Sequence, residues 1–435
     1  MNYDEALAYI HSVSWKGSRP GLERITELCR LLGDPQRNLR FIHVAGTNGK
    51  GSFCRMLSGI LTAAGYRVGL FTSPYVKRFN ERMMVNNVEI PDAELARDTG
   101  IVRAAADTME DKPTEFELIT AIGFVYFKRM NCDCVVLECG MGGRLDSTNV
   151  IESPLLSVIT GIDFDHMAYL GNTIQAIAAE KGGIIKKGCP CLWGGGDDSA
   201  CRTLSAISEV KDAPFYTVDR TNLHVKNMTL GGTVFDFADL PDIHLPLLGV
   251  YQPRNAATVL TAVGILREKG LRISEEAIRS GLASSVWHAR FELLRASDPV
   301  ILYDGGHNPQ GVRAAVESIR AYFPDQKVNI LSGVMADKDY DEMIALLAPV
   351  TERAFTVTPQ NSRSLSASDY AAHFTAHRVP AQAYASVPEA LAAAVADSRS
   401  GGRPLVCLGS LYLYAELLDA LSAFGQSSGF CAPAQ

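Results

Sequence analysis

Gly46, Gly49, Lys50, Gly51 and Ser52 fall within residues 41–57, FIHVAGTNGKGSFCRML, where an apolar strand pattern gives way to a glycine turn and the opening of a helix. Such a joint binds phosphate. The glycines let backbone N–H groups converge on an anion, the lysine adds a point charge, and the serine hydroxyl can reach phosphate or Mg²⁺. The helix dipole reinforces all three. The spacing departs from GxxxxGK[ST]: three residues separate Gly46 from Lys50, and Gly51 stands between Lys50 and Ser52. A generic kinase loop is therefore a poor match. The competing reading is a strand-to-helix turn with incidental glycines.

Four further groups could carry chemistry. Glu138 ends an apolar run and opens into CGMGGRLDSTNV, which puts it at the carboxyl edge of a parallel sheet, a suitable place for a metal-bound carboxylate. The run VLECGMGG also resembles a methyltransferase loop, but its glycines read GxGG instead of GxGxG. Arg144 and Asp146 could simply tie down that turn. Asp165 and His166 follow another strand to the same edge, although His166 could equally be an ordinary loop histidine. Glu180 and Lys181 sit in AAEKGGIIKKG, where a lysine beside a glutamate usually faces solvent. In YDGGHNPQGV, Asn308 can cap a helix and Pro309 suits its first turn. Asp304 and His307 are not needed for capping and are candidates for contacts to nucleotide or substrate.

The surrounding pattern supplies elements to position these groups. The helix after the phosphate loop is expected to run to Ala64 and stop at Gly65, with a strand over 67–72. Thr114 and Glu117 read as a capping box ahead of a helix through Met130. Strands are expected over 133–138 and 155–161, then a helix from near Thr173 to before Gly188. Such alternation implies a parallel, doubly covered sheet. Residues 190–247 read as a small β-rich appendage. A helix follows over 251–266, then a hinge over 287–292. Strands near 300–304, 328–333, 354–358, 381–385 and 404–409 alternate with helices again. The expected fold is thus α/β: a parallel-sheet domain over 1–290 carrying the phosphate loop and appendage, and a second, Rossmann-like α/β domain over 291–435.

Composition narrows the function classes. With 435 residues the chain is too long for one ordinary core. Hydrophobic content of 47%, charged content of 20% and a net charge of −7 fit a soluble globular protein with no broad basic surface, so nucleic acid is not expected as a partner. The amino terminus lacks the basic and apolar regions of a signal peptide, and no apolar run reaches membrane-spanning length. The cytoplasm is the expected location and a membrane is not an expected partner. Ten cysteines, including CxC pairs at Cys132/Cys134 and Cys189/Cys191, point to reduced, mostly buried thiols and not to a disulfide framework or zinc site.

Taken in order, GTNGKGS, TSPYVKRFNER, ECGMGGRLDSTN, DHMAYLGNTIQAIAAEKGGIIK, YQPRNA, DGGHNP and GSLYL resemble the folylpolyglutamate synthase and dihydrofolate synthase family of the Mur ligase superfamily, from about residue 20 to 416. The resemblance implies ATP-dependent amide formation between a folate carboxylate and the amine of L-glutamate through an acyl phosphate. It implies that Asn48, Gly49, Lys50, Gly51 and Ser52 hold the β and γ phosphates, with Asn255, Arg290 and Asp304 as further ATP contacts. Ser73 and Glu138 would hold one Mg²⁺. His166 and a carbamylated Lys181 would hold a second, and Mn²⁺ could substitute. Gly21, Leu22, Glu23, Arg24, Thr114, Glu115, Phe116, Glu117, Leu145, Asp146 and Ser147 match the pteroate-binding positions. Lys50, Lys181, His166 and His307 are the implied catalytic residues. The implied substrates are a reduced folate and L-glutamate, with dihydropteroate as a second acceptor, and the expected oligomeric state is a monomer. Departures from the family pattern are Tyr75 in place of histidine, His288 and Ala289 in place of Pro-Gly before Arg290, and Gly182 and Gly306 where alanine is more common.

Overall fold

Eight strands form the first sheet of the computed structural model, which describes residues 1–13 and 20–427. In chain order they are β1 (Phe41–Ala45), β2 (Val68–Phe71), β3 (Met83–Val85), β4 (Val88–Glu89), β5 (Cys134–Glu138), β6 (Leu156–Ile159), β7 (Cys191–Trp193) and β8 (Phe215–Thr217). Their spatial order is β4-β3-β2-β5-β1-β6-β7-β8. The pairs from β2 through β8 are parallel, and β3 and β4 add an antiparallel edge.

Chain connectivity explains why the phosphate loop lies where it does. From β1 the chain crosses to β2 on one side, whereas from β6 it continues to β7 on the other. The carboxyl ends of β1 and β6 therefore flank a topological switch point, where open α/β sheets bind ligands. The loop after β1 is fastened there: Thr47 N donates to Gly161 O at 2.7 Å and Thr160 Oγ1 donates to Asn48 O at 2.7 Å.

Apolar side chains hold helices against one face in two neighbouring clusters, since the registers put Phe41, Val135, Leu137, Ala45, Ile159 and Trp193 on the same side of the sheet. Leu118, Ile122, Phe124 and Phe127 of helix Glu115–Arg129 share a core with Phe41, Phe71, Val135 and Leu137. Ile177, Ile184 and Leu204 share another with Ala45, Ile159 and Trp193. Full burial of each such large side chain contributes about 1.5–3 kcal/mol. Helix Lys50–Ala63 crosses helix Glu275–Ala283 with Gly59 and Gly281 at the point of closest approach. A Cβ on Gly59 would lie 2.8 Å from Gly281 O, and one on Gly281 would overlap Ile60 backbone.

A three-stranded sheet comprises β9 (Leu223–Thr229), β10 (Gly232–Phe237) and β11 (Leu240–Leu245), ordered β11-β10-β9. The last sheet comprises β12 (Glu292–Arg295), β13 (Ile301–Asp304), β14 (Val328–Ser332), β15 (Thr351–Thr356), β16 (Ala381–Ala383) and β17 (Leu405–Leu408), ordered β12-β13-β17-β14-β15-β16. It is parallel except for the β12–β13 pair. Leu302, Ile330 and Val406 pack there with Val312, Ile319, Met343 and Leu347. Backbone contacts group the chain into two compact units, 1–224 with 236–244 and 254–285, and 225–235 with 245–253 and 286–435.

The α/β class, the parallel sheet and the second α/β sheet match the sequence reading. Three local expectations change. The β-rich region narrows to β9–β11, because β7 and β8 extend the main sheet and Asp198–Val210 is a helix capped by Asp197. The helix capped by Thr173 ends at Gly182, where Gly183 packs onto Arg144 so closely that a Cβ would overlap its backbone. The segment around 287–292 includes the start of β12. Helices Tyr3–Ser12 and Glu23–Leu31 precede β1, and 14–19 lie outside the described residues. No helix among the described residues is long and apolar enough to cross a membrane.

Candidate active site

The phosphate loop ends as Lys50 opens its helix, with Gly49 at the N-cap. Glycine is required at two points. Gly46 has φ +151 and a Cβ there would overlap Thr160 Oγ1; Gly49 has φ +85 and a Cβ would lie 2.8 Å from Asn255 Oδ1. Asn255, near the start of helix Gln252–Glu268, is thus brought against the loop although far from it in sequence. Ser52 is buried in the first turn.

Two lysines meet on one carbonyl. Lys50 Nζ donates to Gly46 O at 3.0 Å and to Thr47 O at 3.3 Å, and Lys181 Nζ donates to Gly46 O at 2.9 Å. Lys181 is only 3% exposed, so the solvent-facing reading of this residue is wrong. Its amine is pushed down to about 7 by burial first and then by the charge of Lys50. Glu180, by contrast, is partly exposed, lines the neighbouring cavity and accepts from Arg144 Nη2 at 2.8 Å. Lys50, Lys181, Asp165, His166 and Cys139 line one small cleft with Gly46, Thr47 and 140–142. His166, in the left-handed region at φ +49, caps the short helix Met167–Leu170.

Glu138 ends β5 and is almost fully buried; its Oε2 accepts from Ser73 N at 3.2 Å. The two sequence-predicted metal ligands therefore adjoin. Among the described residues no group of three His, Cys, Asp or Glu side chains is placed to hold a metal. A metal at this edge would need oxygen ligands from other residue types, which Ser73 and a carbamate on Lys181 would supply.

Beside the loop lies a cavity of about 480 Å³. Gly21, Thr114, Glu115, Phe116, Glu117, Leu145, Asp146 and Ser147 line it, as do Ser73, Arg82, Met141 and Tyr169. Leu22, Glu23 and Arg24 do not line it. Arg24 is buried and its Nε donates to Glu117 Oε2 at 3.0 Å. The same carboxylate accepts from Thr114 N at 2.7 Å in the capping box that the sequence pattern predicts. Asp146 is also internally engaged: Met141 N donates to Oδ2 at 2.9 Å, and Thr148 N and Oγ1 donate to Oδ1 at 3.0 and 2.5 Å. It therefore shapes the turn over 140–146, as the local reading allowed. Burial raises its carboxyl above the usual range.

Sequence reasoning missed Arg82, Tyr169 and His43. Arg82 lies on the cavity wall with its guanidinium 5.1 Å from the Tyr75 ring centre, and Nε has no hydrogen-bond partner. Tyr169 stands at the rim, half exposed, three residues after His166. His43, inside β1, sits 2.8 Å from Thr148 Oγ1 and 3.1 Å from Cys139 Sγ, and burial pushes its imidazole down to about 3. Its position in an apolar strand was the available signal.

In the second unit, Asn308 Oδ1 accepts from Gly311 N at 2.8 Å and Pro309 begins the helix, as the motif predicts. Asp304 is buried and filled by three donors: Gly306 N at 2.7 Å, Phe291 N at 2.8 Å and Tyr251 Oη at 3.1 Å. Burial raises its carboxyl, opposed by the charge of Arg290. His307 Nδ1 lies 2.8 Å from Gly305 O, and Arg290 donates to Ala289 O at 3.0 Å. Arg290, Asp304 and His307 thus gather at the carboxyl end of β13.

Residues 44–263 match the Mur ligase middle domain and residues 289–411 the Mur ligase glutamate ligase domain. With the fold above, these define a Mur-type ligase. The chain is 38% identical over 433 residues to the folylpolyglutamate synthase of Lacticaseibacillus casei, covering 97% of this chain and 99% of that protein. It is 35% identical over 430 residues to the dihydrofolate synthase/folylpolyglutamate synthase of Bacillus subtilis, covering 96% and 99%. Escherichia coli FolC in complex with DHPP and ADP has the same fold, with a TM-score of 0.85 at 30% identity over 98% of each chain. The chain belongs to the folylpolyglutamate synthase and dihydrofolate synthase family.

Proposed function

We propose that this chain joins L-glutamate to a reduced folate using ATP, and that dihydropteroate is a second acceptor. The observation that carries this reading is the meeting of Lys50 and Lys181 on Gly46 O beside a 480 Å³ cavity floored by Phe116 and the Leu145–Ser147 turn. A phosphate-binding loop is useful to a ligase only if the carboxylate to be activated can lie next to it. The cavity has an aromatic wall suited to a pteridine or aminobenzoyl ring.

A carboxylate resists amines because its carbonyl is electron-rich and oxide is a very poor leaving group. Attack of the folate carboxylate oxygen on the γ-phosphorus releases ADP and forms an acyl phosphate. The glutamate amine then forms the C–N bond, phosphate leaves with the acyl C–O electron pair, and the amine loses a proton. Asn48, Gly49, Lys50, Gly51 and Ser52 neutralise the phosphates, with Asn255, Arg290 and Asp304 as nucleotide contacts and His307 near glutamate or ATP. Ser73 and Glu138 would hold one Mg²⁺, and His166 with carbamylated Lys181 a second; bound there, the ions would offset charge on the phosphates. A neutral amine captures CO₂, which suits a lysine pushed down to about 7. The phosphate loop and folate binding belong to 1–290 and glutamate ligation to 291–435, in a cytoplasmic monomer.

Product mass after incubation with ATP, Mg²⁺, L-glutamate and either tetrahydrofolate or dihydropteroate tests the assignment. ADP release that requires both acceptor and glutamate supports it. Glutamate added to some other carboxylate, with neither pterin consumed, would identify a different Mur-type ligase.

A further inference from the structure

Arg290 is flanked by two non-glycine residues in the left-handed region, Ala289 at φ +57 and Phe291 at φ +45. Such a corner persists only where its surroundings over-determine it. Both flanking peptide N–H groups are held by carboxylates. Phe291 N donates to Asp304 Oδ2 at 2.8 Å, and Ala289 N donates to Glu292 Oε2 at 2.8 Å. Gly305 N donates to Ala289 O at 2.8 Å, so the carbonyl before Arg290 is also fixed.

The Glu292 carboxylate is itself set from two sides. Tyr414 Oη donates to Oε2 at 2.7 Å, and His288 Nδ1 lies 2.8 Å from Oε1. With the tyrosine proton committed to Glu292, the ring nitrogen facing Oε1 is the N–H nitrogen. Tyr414 Oη also lies 3.1 Å from His288 Nδ1, and the buried Tyr414 ring meets Tyr303 edge-on at 5.0 Å. With histidine at 288 and alanine at 289, neither a proline ring nor the freedom of glycine shapes this corner. Here side-chain hydrogen bonds perform that task.

We propose that His288, Glu292 and Tyr414 form a positioning cluster that fixes the direction in which Arg290 is presented to the nucleotide. The inference rests on Arg290 as an ATP contact, the reading given above. The cluster touches no reacting atom; it acts through the backbone on either side of Arg290.

The experiment measures KM for ATP, KM for L-glutamate and kcat in Tyr414→Phe, Glu292→Gln and Arg290→Ala, and in each of the first two combined with Arg290→Ala. Tyr414→Phe removes one hydroxyl and keeps the packed ring, so the fold is retained. We expect Tyr414→Phe and Glu292→Gln to raise KM for ATP about five- to tenfold with glutamate KM within about twofold, and to add nothing once Arg290 is alanine. Full effects persisting beside Arg290→Ala, or ATP KM within about twofold of wild type in both single variants, would overturn the inference. A loss in Arg290→Ala that the two single variants do not share sinks the positioning role alone. Unchanged ATP KM in Arg290→Ala sinks the nucleotide reading of Arg290 and the inference with it.

Discussion

Lys50 Nζ and Lys181 Nζ donate to the same acceptor, Gly46 O, at 3.0 and 2.9 Å. Two ammonium groups at one buried carbonyl repel each other, and Lys181, the more buried, is the one displaced toward neutrality. The arrangement suits a site that must receive negative charge, because conversion of the neutral Lys181 amine to a carbamate, or an anion placed beside Lys50, relieves the repulsion.

The first prediction concerns stability against pH. The Lys181 amine falls from an ordinary 10.5 to about 7 in the folded chain. From pH 7 to 10.5 the unfolded chain binds the proton that the folded chain rejects, so this residue destabilises the fold fully below about 7 and ceases to do so above 10.5. In CO₂-free buffer, the melting temperature of the wild type should rise relative to Lys181→Met as pH increases from 7 to 10. Parallel curves would show that Lys181 is not perturbed.

Lys181→Ala should lose most turnover with ATP, folate and glutamate. Added short carboxylates should restore part of it, because they return oxygen ligands to the vacated space. Initial rates of ADP release against formate or acetate concentration check this. Near-normal turnover without additive would assign Lys181 a structural task only.

Lys50→Ala should lower kcat by about 10³-fold, the scale on which phosphoryl-transfer cations act. Circular dichroism and the melting curve should stay close to wild type, since the loop remains fastened by Thr47 N to Gly161 O and Thr160 Oγ1 to Asn48 O. Wild-type rates in this variant would reject the loop as the phosphate site.

Arg24→Ala should act on folding before it acts on substrate. The side chains of Arg24 and Glu117 are 8% and 4% exposed, and removal of one partner leaves a buried charge behind. The expected loss is about 3–5 kcal/mol in urea denaturation, and Arg24→Lys should recover only part because the guanidinium geometry is lost. A variant of unchanged stability with a raised folate KM would return Arg24 to the substrate site.

Local chemistry was legible wherever one short segment carried both signal and partner. The phosphate loop, the Thr114 capping box and the Asn308–Pro309 helix start are of this kind, since each satisfies its own backbone within a few residues. Lys181 was not, because its burial depends on Gly46, 135 positions away in the chain. Arg24 finds Glu117 across 93 positions, which turns an expected substrate contact into an internal ion pair. Asp198–Val210 escaped notice inside a segment of short strands and turns, although Asp197 caps it. Arg82 and Tyr169 lie within the TSPYVKRFNER and DHMAYLGN motifs, yet nothing there sets them apart from their neighbours; the sheet edge and the helix after His166 bring them to the cavity.

The crossing of Gly59 with Gly281 bears on how the nucleotide loop tolerates load. The helix that begins at Lys50 rests backbone to backbone on its neighbour, so no rotamer can yield there. On the function proposed above, an ill-fitting triphosphate would have to adjust itself or leave, since the helix that carries Lys50 stands on rigid ground.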